Sequence, residues 1–151
     1  MTHLIYTTTL PAPICTCFDL VRSIETHCAT ASGISARAVG GRCSGLSEID
    51  DETRWSARFF GMRFELTTRI SEYERPFSFS DELVRGPFRA FGHRYEFREL
   101  GSDETLFVDH FHFESPYRLI GKLIDRFVLK SQLEKALRAR GKALRLLAAE
   151  R

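Results

Sequence analysis

In the stretch TLFVDHFHFES, residues 105–115, apolar and polar positions alternate. Side chains of an extended strand point alternately to two faces. Phe107, Asp109, Phe111 and Phe113 therefore share one side, and Leu106, Val108, His110, His112 and Glu114 the other. The same period of two predicts strands near 53–59, 62–72, 77–85 and 91–100, a poorer one around 36–48, and another in HLIYTTTL at the N-terminus. The turns between them are legible. FFGM places Phe60-Gly61 at the tip of a two-residue hairpin, where glycine accepts a positive φ, and YERP, GPFRA and GSDE supply the next three. The period becomes helical in ICTCFDLVRSIETH, a short stretch with Ile14, Phe18, Val21 and Ile24 on one side. It does so again from about Tyr117, behind Ser115-Pro116, where Ile120, Leu123, Ile124 and Phe127 form one stripe and Leu129, Leu133, Leu137 and Leu144 an offset second one. These pieces make an α+β chain: a curved antiparallel sheet of about seven strands gripping one long C-terminal helix.

Strand parity sorts the inward residues. One face carries Trp55, Ala57 and Phe59, then Met62, Phe64, Leu66, Thr68 and Ile70, then Phe77, Phe79, Asp81, Leu83 and Arg85, then Phe91, His93, Tyr95 and Phe97. The opposite faces, such as Arg94, Glu96 and Arg98, read as solvent. Turn lengths then set a register, because paired residues in a hairpin have a constant sum. Pairing Glu72 with Phe77 sets Thr68 opposite Asp81; pairing Arg85 with Phe91 sets Asp81 opposite Tyr95 and Leu83 opposite His93. Pairing Leu100 with Glu104 sets Tyr95 opposite Asp109 and His93 opposite Phe111. Thr68, Asp81, Tyr95 and Asp109 would thus form a polar row across four strands, neighbours about 5 Å apart, with His93 a diagonal step of about 7 Å away. A carboxylate in an apolar interior must be hydrogen-bonded, protonated, paired or facing a wet cavity. A hollow interior with a polar patch satisfies that condition better than a solid one.

At 151 residues the chain is expected to form a single domain over 1–151, since no linker or repeat divides it. The aromatic set of 13 Phe, 4 Tyr and 1 Trp implies a wide apolar interior. No apolar run approaches the roughly 20 residues of a membrane span and the first residues lack a signal-peptide pattern, so a cytoplasmic protein without stable membrane insertion is expected. Cys15, Cys17, Cys28 and Cys43 show neither CxxC spacing nor matching histidines, which reads as free, mostly buried thiols with no metal. The net charge of +2 is uneven: all four lysines lie from Lys122 onward. The basic residues of that helix, Lys122, Arg126, Lys130, Lys135, Arg138, Arg140, Lys142 and Arg145, point in many directions, as on a solvated surface. No aromatics sit among the later ones to stack on bases, so nucleic acid is not expected.

The succession RWSARFFGMRFELTTRI, RPFSFSDELVRGPFRAFGHRYEF, ETLFVDHFHFESP and LIGKLIDRFVL resembles the START-like proteins, the polyketide cyclase/dehydrase or Bet v 1-like superfamily. The residues that carry the likeness are Trp55, Gly61, Pro76, Phe79, Asp81, Gly86, His93, Phe97, Asp109 and Pro116. The resemblance implies a helix-grip fold with a cavity between sheet and C-terminal helix for an apolar or amphipathic small molecule. It carries no shared catalytic triad and no cofactor.

The expected function is binding of a small hydrophobic or aromatic molecule, with contacts from Trp55, Phe64, Phe79, Asp81, His93, Tyr95, Asp109 and Phe111. The alternative is a cyclase or dehydratase in which His93 works with Asp81 or Asp109 as acid and base while Tyr95 donates to a carbonyl oxygen. A third reading of the inward polar group is an internal network that pins the sheet and binds nothing. His110 and His112 share a face with Glu114 and can reach one metal in principle, but that face reads as solvent. Arg85 is read as a strand-end rim residue, and Gly86-Pro87-Phe88 as either a lid or an apolar plug. A weaker reading makes the protein a membrane or partner adaptor through its basic helix, and a homodimer is left open.

Overall fold

The computed structural model describes residues 1–31, 35–59, 62–115, 128 and 130–151. Strand β1 (Thr2–Leu10) leads into helices α1 (Ile14–Arg22) and α2 (Ile24–Thr30). Six strands follow: β2 (Arg37–Gly41), β3 (Glu52–Phe59), β4 (Met62–Glu74), β5 (Ser78–Arg85), β6 (Ala90–Gly101) and β7 (Glu104–Glu114). Helix α3 (Lys130–Ala149) lies at the C-terminal end. All neighbouring strands are antiparallel, in the order β1-β7-β6-β5-β4-β3-β2. The curved sheet and C-terminal helix are the helix-grip arrangement that the sequence pattern predicts. The predicted helix start near Tyr117 and the stripe at Ile120, Leu123, Ile124 and Phe127 lie outside the described residues.

The single early helical stretch is in fact two helices. Ser23 adopts an extended backbone between them, and its hydroxyl accepts from the Thr26 amide, capping α2. β1 and β7 pair along their whole length, from Thr2 opposite Phe113 to Leu10 opposite Thr105. Phe59 pairs with Met62, the closing pair expected of a two-residue hairpin; Phe60 and Gly61 themselves lie outside the described residues.

Two apolar clusters fill the concave side. Phe18 of α1 packs on Phe79 and Phe97, with Tyr95, Phe107 and Leu144 around them. Phe111 and Phe113 meet Leu4, Leu133 and Leu137 in the second. Helix α3 presses closest to the sheet at Gly141, where a Cβ would stand 2.6 Å from Thr8 Oγ1 and 2.7 Å from Tyr6 Cε1.

Several expectations need correction. Met62 and Phe77, placed inward by parity, are 61% and 56% exposed, because Met62 begins β4 and Phe77 lies in the turn before β5, both beyond the core. Arg85 is exposed too, which agrees with a rim position. The poorer strand is shorter than expected, and a bulge at Ala38/Gly40 marks it. Only Cys17 among the thiols is buried; Cys15 and Cys43 are exposed, since they fall on the outer face of α1 and in a loop.

The polar row is also reordered. The β4–β5 turn closes at Glu74 opposite Ser78, and bulges at Thr67/Thr68 and Ile70/Glu72 shift the pairing. Thr68 therefore faces Leu83, and Asp81 faces Ile70. Between β5 and β6 the last pair is Glu82 with Gly92, so the strands part before the turn and Asp81 faces His93, while Phe79 faces Tyr95. The shift is two residues at Thr68 and Asp81 and again between β5 and β6, so these side chains keep their predicted face; beyond the Ile70/Glu72 bulge it is three, and Tyr73 turns inward against Phe18. The β6–β7 register is as expected, with Tyr95 opposite Asp109 and His93 opposite Phe111.

Candidate functional site

A cavity of about 90 Å³ lies between the concave face of the sheet, α2 and α3. Ala57, Leu66, Phe91, Phe111, Leu133 and Leu137 supply its apolar wall, and Trp55, Thr68, Asp81, His93, His27 and Arg140 its polar groups. At roughly 10–15 Å³ per water on this measure, the space holds several waters or a compact ligand. A smaller space of about 30 Å³ adjoins it, sharing Trp55, Thr68, Asp81 and His27 and bordered by Phe79 and Tyr95.

The eight sequence-predicted contacts therefore divide. Trp55, Asp81, His93 and Phe111 line the main cavity. Phe79 and Tyr95 border the smaller one, Asp109 is buried behind His93 at 2% exposure, and Phe64 packs on the second apolar cluster. Trp55 is fixed by its indole N–H, which donates to Thr68 Oγ1 at 3.0 Å.

His93 stands between the two carboxylates. Its Nδ1 is 3.9 Å from Asp81 Oδ1 and its Nε2 3.7 Å from Asp109 Oδ1, too far for direct hydrogen bonds. Its ring lies parallel to that of Tyr95, 5.1 Å away, and against Phe111 at 4.4 Å.

Arg140 and His27 also line this candidate site, and the sequence reading missed both. The expectation of a solvated basic helix fails at Arg140, which is 5% exposed. One Nη1 donates to the Tyr95 hydroxyl at 3.3 Å and lies 3.6 Å from Asp109 Oδ2. Nη2 donates to His27 Nδ1 at 3.1 Å. A guanidinium only donates, so Nδ1 is the unprotonated nitrogen of His27. The guanidinium also covers the Tyr95 ring, 5.1 Å from its centre. A signal for Arg140 was present: Leu133, Leu137, Arg140 and Leu144 are spaced as one buried stripe. His27 follows Val21 and Ile24 on the inner side of the early helices in the same way.

Burial governs the protonation of this group. It pushes the Asp81 carboxyl up to about 7 and that of Asp109 to about 6, with Arg140 opposing both shifts. Burial and the nearby guanidinium hold His93 well below its usual value and His27 down to about 3. Both imidazoles are therefore neutral near pH 7. The Tyr95 phenol is held well above its ordinary value, mainly by burial. Asp81 Oδ1, Asp109 Oδ1 and Arg140 Nε lack hydrogen-bond partners among the described residues.

On the convex side His110 lies 3.4 Å from Glu96 and His112 packs beside His3, so the two histidines of β7 turn to different neighbours. Phe88 packs against Phe91 and Phe113, which favours the plug over the lid.

A seven-stranded sheet gripping a C-terminal helix over such a cavity defines a protein of the START/Bet v 1-like class. The family described as polyketide cyclase/dehydrase and lipid transport matches residues 10–139, and the chain belongs to it. Comparison with curated proteins finds no match. Solved structures share the fold at low identity. The Zhui aromatase/cyclase from Streptomyces sp. R1128 is 14% identical over 99% of this chain and 94% of that one, with a TM-score of 0.80. A START superfamily protein from Mycobacterium smegmatis is 17% identical over 98% of this chain and 97% of that one, with a TM-score of 0.74. Ginseng major latex-like protein 151 from Panax ginseng is 12% identical, covers 97% of both chains and has a TM-score of 0.69.

Proposed function

We propose that the protein binds a small hydrophobic or aromatic molecule in the cavity between sheet and α3, with the ligand's polar end toward Asp81 and His93. The observation that carries this reading is an apolar cavity walled by Phe91, Phe111, Leu133 and Leu137 that nevertheless exposes a carboxyl and an imidazole. Side chains of Asp81 and His93 retain 15% and 12% of their surface, and a packed core has no use for such groups. The neighbouring aromatase/cyclase and START protein are compatible with this reading through their fold alone. We take the chain to act over 1–151 as one ligand-binding unit, without a cofactor and in the cytoplasm; no described helix is long and apolar enough to cross a membrane. Trp55, the sole tryptophan, lines the cavity, so its emission should shift when a ligand enters. Native mass spectrometry of the purified protein should reveal a copurifying small molecule. Unchanged emission across quinones, polyketides, fatty acids and sterols, with no copurifying mass, refutes the reading.

A second reading is acid/base chemistry on the bound molecule. It is favoured by a neutral imidazole standing beside a carboxyl whose pKa is pushed up to about 7, the pair that a cyclisation or dehydration would use. His93→Ala should then abolish turnover while ligand affinity persists; loss of affinity in step with turnover supports binding alone.

A further inference from the structure

The charges around the cavity are unequal, and the imbalance has a sign. Arg140 supplies the one fixed positive charge among the described cavity residues, and it is already engaged by Asp109, the Tyr95 hydroxyl and His27. Asp81 feels that charge only at a distance and makes no ion pair with it among the described residues. No described lysine or arginine lies within ion-pair distance of it, and its strand partner His93 approaches only to 3.9 Å as a neutral imidazole. A ligand carboxylate would meet a guanidinium already shared among three partners and stand near an unpaired acid. A ligand cation would find the opposite: a carboxyl without a counter-ion and a wall of aromatic faces. Trp55, Phe91 and Phe111 line the same cavity, with the two phenylalanine rings 5.0 Å apart edge to face. Aromatic faces attract ammonium groups, more strongly where water is excluded. These two features are independent, one from charge and one from ring placement.

We propose that the cavity selects an apolar or aromatic amine, its ammonium group neutralised by Asp81 beside the Trp55, Phe91 and Phe111 rings. This rests on the reading that the cavity holds a small apolar molecule, and it adds the chemistry of the polar end. Uptake is linked to protons. The groups facing Asp81 are His93 and Tyr95 from β6, Asp109 from β7, His27 from α2 and Arg140 from α3, with Glu82 beside it on β5 and apolar Ile70 opposite on β4. Both imidazoles are neutral at pH 6–8, so Asp81 and Asp109 are the members of the group that titrate there. An alkylammonium, with a pKa near 10, stays charged throughout that range.

Isothermal titration calorimetry with three molecules on one skeleton tests this: cyclohexylmethylamine, cyclohexylmethanol and cyclohexanecarboxylate. At pH 8 the amine should bind at least tenfold tighter than the alcohol, and the carboxylate weakest. At pH 6 the amine's lead should shrink about tenfold as Asp81 takes up its proton, and binding there should release a proton, seen as a heat that varies with the buffer. Asp81→Asn should remove the lead and leave the alcohol's affinity unchanged; the pH comparison needs no variant. An alcohol equal to the amine at pH 8, a carboxylate that binds tightest, or a lead indifferent to pH overturns the amine assignment alone. Failure of all three to bind overturns the assignment together with the cavity reading beneath it.

Discussion

Replacing Arg140 with methionine keeps most of the buried aliphatic volume and removes the charge, so the variant isolates what the guanidinium does. With Arg140 present, burial lifts Asp109 to about 6. Against about 3.9 in an unfolded chain, that costs about 3 kcal/mol once the pH exceeds 6. Without the guanidinium the carboxyl rises further, and a carboxyl held protonated at pH 7 costs about 4 kcal/mol. The charge effect therefore adds up to about 1 kcal/mol at pH 7. The lost hydrogen bonds to Tyr95 and His27 add about 1 kcal/mol each. The sum, about 3 kcal/mol, falls at the low end of what breaking a buried ion pair usually costs. The sign with pH follows from the direction of the shift. A carboxyl with a raised folded pKa loses stability as pH rises from its unfolded to its folded value, and in the variant that loss continues above 6. Wild type and Arg140→Met should differ by about 2 kcal/mol at pH 5 and by about 3 at pH 7. Urea unfolding followed by circular dichroism at the two pH values measures both, and adding Asp109→Asn to the variant should remove most of the pH-dependent part, Asp81 supplying the rest. An equal loss at pH 5 and pH 7, or a loss below about 1 kcal/mol at both, refutes the account.

Two further outcomes follow from single positions. His27 is neutral in the fold because burial holds it down to about 3, so its contribution is complete above pH 6.5 and lost at about 1.4 kcal/mol per pH unit as pH falls below that; a His27→Gln protein should show a flatter decline in urea midpoint between pH 6.5 and 5, and parallel declines would contradict this. Gly141→Ala gains helix propensity of about 1 kcal/mol but drives a methyl to 2.6 Å from Thr8 Oγ1, so it should destabilise by about 1–3 kcal/mol; a rise in midpoint would show that α3 can lift from β1 at no cost.

Much of the fold was legible because alternation is local. Each strand of residues 53–115 announces its inner face without reference to its neighbours, and Phe60-Gly61, Gly86-Pro87 and Gly101-Ser102 punctuate the strands. The helix-grip arrangement follows once the apolar side of the C-terminal helix has one sheet to cover. The site was legible in part. Asp81, His93 and Asp109 stand out because they interrupt rows of phenylalanine, whereas Arg140 was hidden among Lys130, Lys135, Arg138, Lys142 and Arg145, which are exposed on the described helix. Its place in the Leu133, Leu137 and Leu144 stripe was the available signal, and only the contacts made at that position distinguish a buried cation from a surface one.

What the sequence settled by itself was which side most strand residues occupy, since away from bulges and strand ends that depends on backbone period alone. The tertiary structure decided which residues meet. The early parting of β5 from β6 moved Asp81 from Tyr95 to His93, and the bulges in β4 moved it from Thr68 to Ile70, while Asp81 itself kept its inward face. Arg140 reaches Tyr95 and His27, which lie 45 and 113 positions away in the chain. Whether a buried charge is tolerated depends on the groups that converge on it in space, and no local period encodes that convergence.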